Sequence, residues 1–185
     1  MPDSVDPSPP AGSHPLEQVH HSPATARVPD PIGRGVFATG VIVLHGANEF
    51  TIDFVQSLAP PSRVAVRVNL PPAVASQFAL TLEQALGTFT ESYGQPPRAP
   101  GAAAGPPAPA PSQPIAEAYD SLKLPDDMLG GVYANVVSIS NTGSEFCFDF
   151  IAQLFPRAVV TARVYLAAPR APELLASLKR SIAGG

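Results

Sequence analysis

The segment Glu49-Phe50-Thr51-Ile52-Asp53-Phe54 recurs as Glu145-Phe146-Cys147-Phe148-Asp149-Phe150, a shift of 96 positions with no gap. The same shift carries Gly35, Val36, Ala38, Val64, Arg67, Val68 and Leu70 onto Gly131, Val132, Ala134, Val160, Arg163, Val164 and Leu166. Phe37 answers to Tyr133 and Thr39 to Asn135. An ungapped internal repeat of this density means two copies of one structural unit. It constrains the fold more than any other feature, because whatever the first copy forms the second forms too.

Proline marks where the copies end. The 24 prolines cluster before residue 32 and between Gln95 and Pro114, outside the repeats. The chain therefore divides into a disordered tail (1–30), a first repeat (31–94), a Pro/Ala/Gly linker (95–116) and a second repeat (117–185). The tail is rich in Pro, Ser, Ala and His and lacks periodicity. The linker composition makes an extended, semi-stiff spacer, and recognition of it by a proline-reading domain stays open. Each repeat, at roughly 60 residues, is a size at which a lone core is marginal. The copies are expected to pair within the chain, so that the whole behaves as a monomer.

Within a repeat the period is that of strands. Val36 to His45 is apolar and β-branched, and a short turn at Gly46-Ala47-Asn48 follows. Phe50, Ile52 and Phe54 then alternate with Glu49, Thr51 and Asp53. A break at Ala59-Pro60-Pro61-Ser62 precedes a third alternating run, Arg63 to Leu70. A tight hairpin at 46–47 pairs Phe50 with Val43 and Ile52 with Val41. A turn at Pro60 pairs Phe54 with Val66, Ile52 with Val68 and Phe50 with Leu70. The second copy gives Phe146 with Ile139 and Leu166, and Phe148 with Val137 and Val164.

After Leu70 the period changes. Pro71-Pro72 opens a helix whose stripe is Val74, Phe78, Leu82, Leu86, Phe89 and Tyr93, ending near Gly94. In the second copy Pro172 opens a shorter helix with Leu174, Leu178 and Ile182. Ile115 to Leu124 reads as a short helix or a lead strand. The expected fold is α+β: two β-β-β-α repeats, each a three-stranded antiparallel meander covered by its own helix, packed as a pseudo-two-fold pair.

Composition narrows the function classes. A net charge of −4 with 14% charged residues and no basic stripe counts against nucleic acid as the usual partner. One cysteine, Cys147, excludes an internal disulfide and fits a reducing compartment. The opening Met1-Pro2-Asp3-Ser4 has no basic segment followed by an apolar run, so no signal peptide is expected. Nor does any apolar run reach the roughly 18 residues that cross a bilayer. The expectation is a cytoplasmic protein with no membrane contact.

The candidate site is the polar face made of the residues that survive duplication, Glu49, Asp53, Arg67, Glu145, Asp149 and Arg163, together with Asn135, whose twin is Thr39. The third-strand register sets Asp53 opposite Arg67 and Asp149 opposite Arg163. Carboxylates at i and i+4 of a strand stand about 13 Å apart, too far to share a proton or a metal. The expected role is a cross-strand ion pair that fixes register, or a polar contact between the copies, rather than catalysis. Asn135, set against Phe150 by the same register, is expected to satisfy backbone groups at a sheet edge. Cys147 lies between two carboxylates, which disfavour a thiolate. His20-His21 and nearby His14 are read as ordinary tail residues, because a flexible pair has no fixed third ligand. No phosphate-binding glycine loop, HExxH, paired CxxC or serine elbow is present. No catalytic residue, metal or cofactor is therefore expected.

Gly131-Val132-Tyr133-Ala134-Asn135, followed by Glu145-Phe146 and Asp149-Phe150, resembles a family of small uncharacterised prokaryotic proteins, the domain of unknown function 3467. Gly131 to Ile182 carries the resemblance fully. Gly35 to Tyr93 carries it less well, since Phe37-Ala38-Thr39 replaces Tyr-Ala-Asn. Members typically hold one copy, so this chain resembles a tandem, a covalent form of what others make by dimerising. The resemblance implies no activity. What the residues favour is a non-enzymatic scaffold or protein-interaction module, its partner protein unidentified. The alternative is a single-stranded nucleic-acid binder, an architecture of sheets backed by a helix, although the phenylalanines face the wrong way and the charge is acidic.

Overall fold

The computed structural model describes residues 26–98, 115–154 and 157–184; the tail to residue 25 and the linker from 99 to 114 lie outside the described residues. The first copy forms α1 (Asp30–Gly33), β1 (Val36–Ala38), β2 (Gly40–His45), β3 (Phe50–Gln56), β4 (Arg63–Leu70) and α2 (Pro72–Tyr93). The second forms α3 (Ile115–Asp120), β5 (Val132–Tyr133), β6 (Val136–Asn141), β7 (Glu145–Leu154), β8 (Arg157–Ala167) and α4 (Ala171–Ala183). The class is α+β. Each copy contains its antiparallel meander, β2-β3-β4 or β6-β7-β8, followed by a helix.

The fourth strand of each sheet comes from the other copy. The first sheet runs β2-β3-β4-β5 and the second β6-β7-β8-β1. Val36, Phe37 and Ala38 pair parallel with Val164, Tyr165 and Leu166, while Val132 and Tyr133 pair parallel with Val68 and Asn69. The exchange is reciprocal and keeps the repeat offset. It begins upstream of residue 31: the Arg27 N–H donates to the Ala158 carbonyl (3.0 Å), and the Val160 N–H to that of Arg27 (2.9 Å). The twin contacts are Lys123 N–H to Ser62 (2.8 Å) and Val64 N–H to Lys123 (3.0 Å). Only Thr39 separates β1 from β2, so one bent strand leaves the second sheet and enters the first.

Burial follows the alternation. Phe50, Ile52 and Phe54, with Phe146, Phe148 and Phe150, are at most 3% exposed and belong to one core. Phe54 meets Phe148 and Phe150 directly, with ring centroids 6.5 and 5.5 Å apart. From α2, Phe78 sits edge-on to Phe148 (5.5 Å) and Phe150 (5.8 Å), and Phe89 lies 5.4 Å from Phe146. The expectation that each helix covers its own sheet is therefore corrected. α2 packs on β6 and the rings of β7, α4 packs on β2, and the helices touch each other. Periodicity identifies which face of a helix is apolar, but not which of two equivalent sheet faces it meets. Crossing over merges two marginal cores, and each buried large side chain then contributes about 1.5–3 kcal/mol.

One register is also corrected. The β3–β4 and β7–β8 pairs fall as expected, Phe54 with Val66 and Phe148 with Val164. The first hairpins do not: Ile52 faces Val43, Phe54 faces Val41, Phe148 faces Ile139 and Phe150 faces Val137. Each is slipped by two residues because the turn is longer. Gly46 to Glu49 closes it with Gly46 N–H donating to the Glu49 carbonyl (2.8 Å), and Thr142 to Glu145 does likewise (2.9 Å). A slip of two preserves the side-chain faces, so the same residues stay buried.

Neither copy holds a complete core or a complete sheet. The segment from Gly131 to Gly185, made alone, should give no cooperative thermal melt as a monomer by circular dichroism. A sharp monomeric transition would contradict the shared core.

Candidate functional site on the outer faces of the sheets

The alternation that buries the phenylalanines turns Asp53 and Asp149 outward, where each meets an arginine. Arg67 Nε and Nη2 donate to the two carboxylate oxygens of Asp53, both at 2.7 Å. Arg163 grips Asp149 in the same two-pronged way, again at 2.7 Å twice. In each case the carboxylate hydrogen bond is the main reason the guanidinium is held above its ordinary pKa. These bonds are charge-assisted and geometrically specific.

The exchanged strands explain why a glycine survives with each arginine. Gly131 has φ +62 and rests on the stem of Arg67; an added Cβ would come within 2.7 Å of Arg67 Cγ. Gly35 (φ +64) lies over the second pair in the same manner, with Arg163 Cγ at 3.0 Å and the Tyr165 ring at 2.5 Å from such a Cβ. A left-handed backbone and close approach both call for glycine. Each Asp–Arg–Gly set is thus assembled from two copies.

The two sets differ in their cover. Asp53 is fully buried and the Arg67 side chain is 14% exposed, against 21% for Asp149 and 23% for Arg163. The difference comes from Tyr119 on α3. Its hydroxyl donates a short hydrogen bond to Asp53 Oδ2 and accepts one from Arg67 Nη2 (3.3 Å). The Arg67 guanidinium carbon lies 5.9 Å from the Tyr119 ring centre, within cation–π range. Burial first, then the Asp53 carboxylate, pushes the Tyr119 hydroxyl up to about 12. Arg67 Nη1 also reaches the Leu129 carbonyl at 3.2 Å, and Asn69 Nδ2 that of Gly130 at 2.8 Å. Sequence reasoning missed Tyr119, because its twin position is Pro23 and no repeat signal marks it.

The remaining predicted residues fall elsewhere. Asn135 is not opposite Phe150. It precedes β6 and clamps the backbone of Gln153, accepting from its N–H (2.7 Å) and donating to its carbonyl (3.1 Å). The register slip moved the pairing. Thr39, the twin, accepts from the Ser57 N–H at 2.9 Å. Glu145 takes hydrogen bonds from Ser144 (2.6 Å) and Thr142 (2.8 Å), which hold its carboxyl below its usual range. Glu49 sits in the turn, accepting from the Asn48 N–H at 3.2 Å. Both glutamates organise hairpin turns. Burial, then Asp149, raises the Cys147 thiol, which keeps it protonated. Among the described residues there is no cluster of three or more His, Cys, Asp or Glu suited to a metal. None of the helices there is long and apolar enough to cross a membrane.

A family model described as a protein of unknown function (DUF3467) matches residues 9–95 and again 105–184. The chain belongs to the DUF3467 family. It carries the family's domain twice, in tandem. No curated protein matches the chain. The residues shared by the two copies are thus positions of a DUF3467 domain, and in this member their glycine and their arginine meet across the copies.

Burial should separate the two pairs in measured stability. Asp53→Asn leaves the Arg67 charge uncompensated beneath Tyr119 and should cost about 3–5 kcal/mol. Asp149→Asn, at a pair open to water, should cost about 1 kcal/mol or less. Urea melts of both variants check this; equal losses would show that Tyr119 does not make the first pair an interior one.

Proposed function

We propose that this DUF3467 protein is a non-enzymatic, cytoplasmic protein-interaction module. The observation that carries the reading is the free edge of the first sheet. β2 pairs with β3 on one side and, among the described residues, ends the sheet on the other. Its sequence, Gly40-Val41-Ile42-Val43-Leu44-His45, has no aspartate, glutamate, lysine, arginine or proline. Val41 and Val43 pack against the core, leaving Ile42 and Leu44 half-buried on the opposite side. Edge strands are commonly blunted by charge, proline or a bulge, because an unpaired edge templates another strand. A long, uncharged edge is suited to a partner that adds a strand, the backbone supplying affinity and alternate side chains specificity.

The dominant ionic groups on the outer faces support the same reading, since within each Asp–Arg pair the two charges satisfy one another. A module that binds through a sheet edge needs no such groups free.

The test compares the parent chain with an Ile42→Lys, Leu44→Lys variant in cross-linking pull-downs from the native cell. The parent should capture a discrete partner and the variant should lose it while melting within a few degrees of the parent. Undiminished capture by the variant would overturn the assignment to this edge. A band shift of single-stranded oligonucleotides at low salt would overturn the class.

A further inference from the structure

The repeat supplies an internal comparison: two equivalent polar sites in one molecule, one filled by a tyrosine and one left open among the described residues. In the first sheet, Asp53 and Arg67 hold the phenol of Tyr119, which donates to the carboxylate and lies beside the guanidinium. In the second sheet, Asp149 and Arg163 present the same carboxylate and guanidinium at the same bond lengths. Both are more exposed than their twins. Arg163 Nη1, whose counterpart in Arg67 reaches the Leu129 carbonyl, has no such partner among the described residues. The chain cannot fill this site by repeating its own device. All four tyrosines lie at 93, 119, 133 and 165, and the position equivalent to Tyr119 is Pro23.

The walls of the open site suit an aromatic ring. Tyr165 replaces Asn69 at the position next along β8, half-buried under Gly35. Its strand partner is Phe37, 38% exposed on the same outer face. The first sheet offers Asn69 and Tyr133 there instead. The second site thus flanks the Asp–Arg recognition unit with two aromatic side chains where the first sheet has one.

We propose that Asp149 and Arg163 form a binding site for a tyrosine side chain presented by a short helical segment of a partner protein. The phenol hydroxyl donates to the Asp149 carboxylate, the ring lies against Arg163, and Tyr165 and Phe37 flank it. The occupant is a tyrosine rather than a phenylalanine because a ring seated there excludes water from the Asp149 carboxylate, which then needs a donor in its place. A phosphotyrosine is excluded by the same carboxylate, which repels a phosphate. This site is distinct from the β2 edge, and neither depends on the other.

The test uses the full chain, labelled with nitrogen-15, and follows the Nε–H signals of Arg163 and Arg67. The probe is an acetylated and amidated heptapeptide of residues 115–121, the segment that fills the first site. Arg163 should shift on titration while Arg67 stays still. Its phenylalanine counterpart should bind at least tenfold more weakly, as expected when a buried acceptor is left unpaired. Asp149→Asn should lose the response, its fold verified by the unchanged Arg67 signal. N-acetyl-tyrosinamide should need at least tenfold more ligand, since it lacks the helical segment. No shift at millimolar peptide would overturn the proposal. So would equal binding of the phenylalanine peptide, or equal binding of the free amino-acid amide.

Discussion

Two equivalent apolar faces that cannot be covered separately are the constraint on which the rest of the structure depends. Phe50, Ile52 and Phe54 on one meander and Phe146, Phe148 and Phe150 on the other are each too small a core for one copy with its single helix. Placing them face to face, with α2 and α4 each crossing to the opposite meander, makes a single core from both. The exchanged lead strands close the same interface from outside. Once β1 lies on β8 and β5 on β4, neither sheet can leave without breaking backbone hydrogen bonds to the other copy.

This arrangement gives the duplicated polar residues their meaning. The glycine that turns the lead segment, the arginine beneath it and the aspartate beside that arginine form one unit, with the glycine drawn from the other copy. Asp53 and Arg67 are accommodated inside the protein because they satisfy each other through two hydrogen bonds and Tyr119 takes up a remaining lone pair. Burying an ion pair on these terms is a device for register more than for stability. A one-residue slip of β4 would leave both charges unmatched.

Much of this was legible in the residues. Alternation identified the buried face of every long strand, and the 3.6 period identified the buried stripe of α2, although Tyr93 at its end is 56% exposed. The Asp–Arg partners followed from the turn at Pro60. What was not legible has physical causes. A strand two or three residues long carries too little pattern to show which neighbour it joins, and in a repeat the two candidates, β4 and β8, present the same alternation and share the valine, arginine, valine and leucine of the offset. Hairpin length escaped notice because a slip of two leaves the faces unchanged. Tyr119 lies in a segment where the copies have diverged, so the offset that revealed Arg67 gave no sign of the residue that covers it.

The central claim is that the copies exchange their lead strands, and it is open to a direct measurement. In a Cys147→Thr background, which replaces the lone thiol by the residue found at its twin position, Phe37→Cys is combined with either Tyr165→Cys or Asn69→Cys. A disulfide forms only where Cα atoms lie within about 7 Å and the side chains point together. Exchange predicts that oxidation links Cys at 37 to Cys at 165, its strand partner across the copies, within one chain of 19.2 kDa. A link to Cys at 69 in place of 165 would mean that each copy keeps its own lead strand, and would contradict the account.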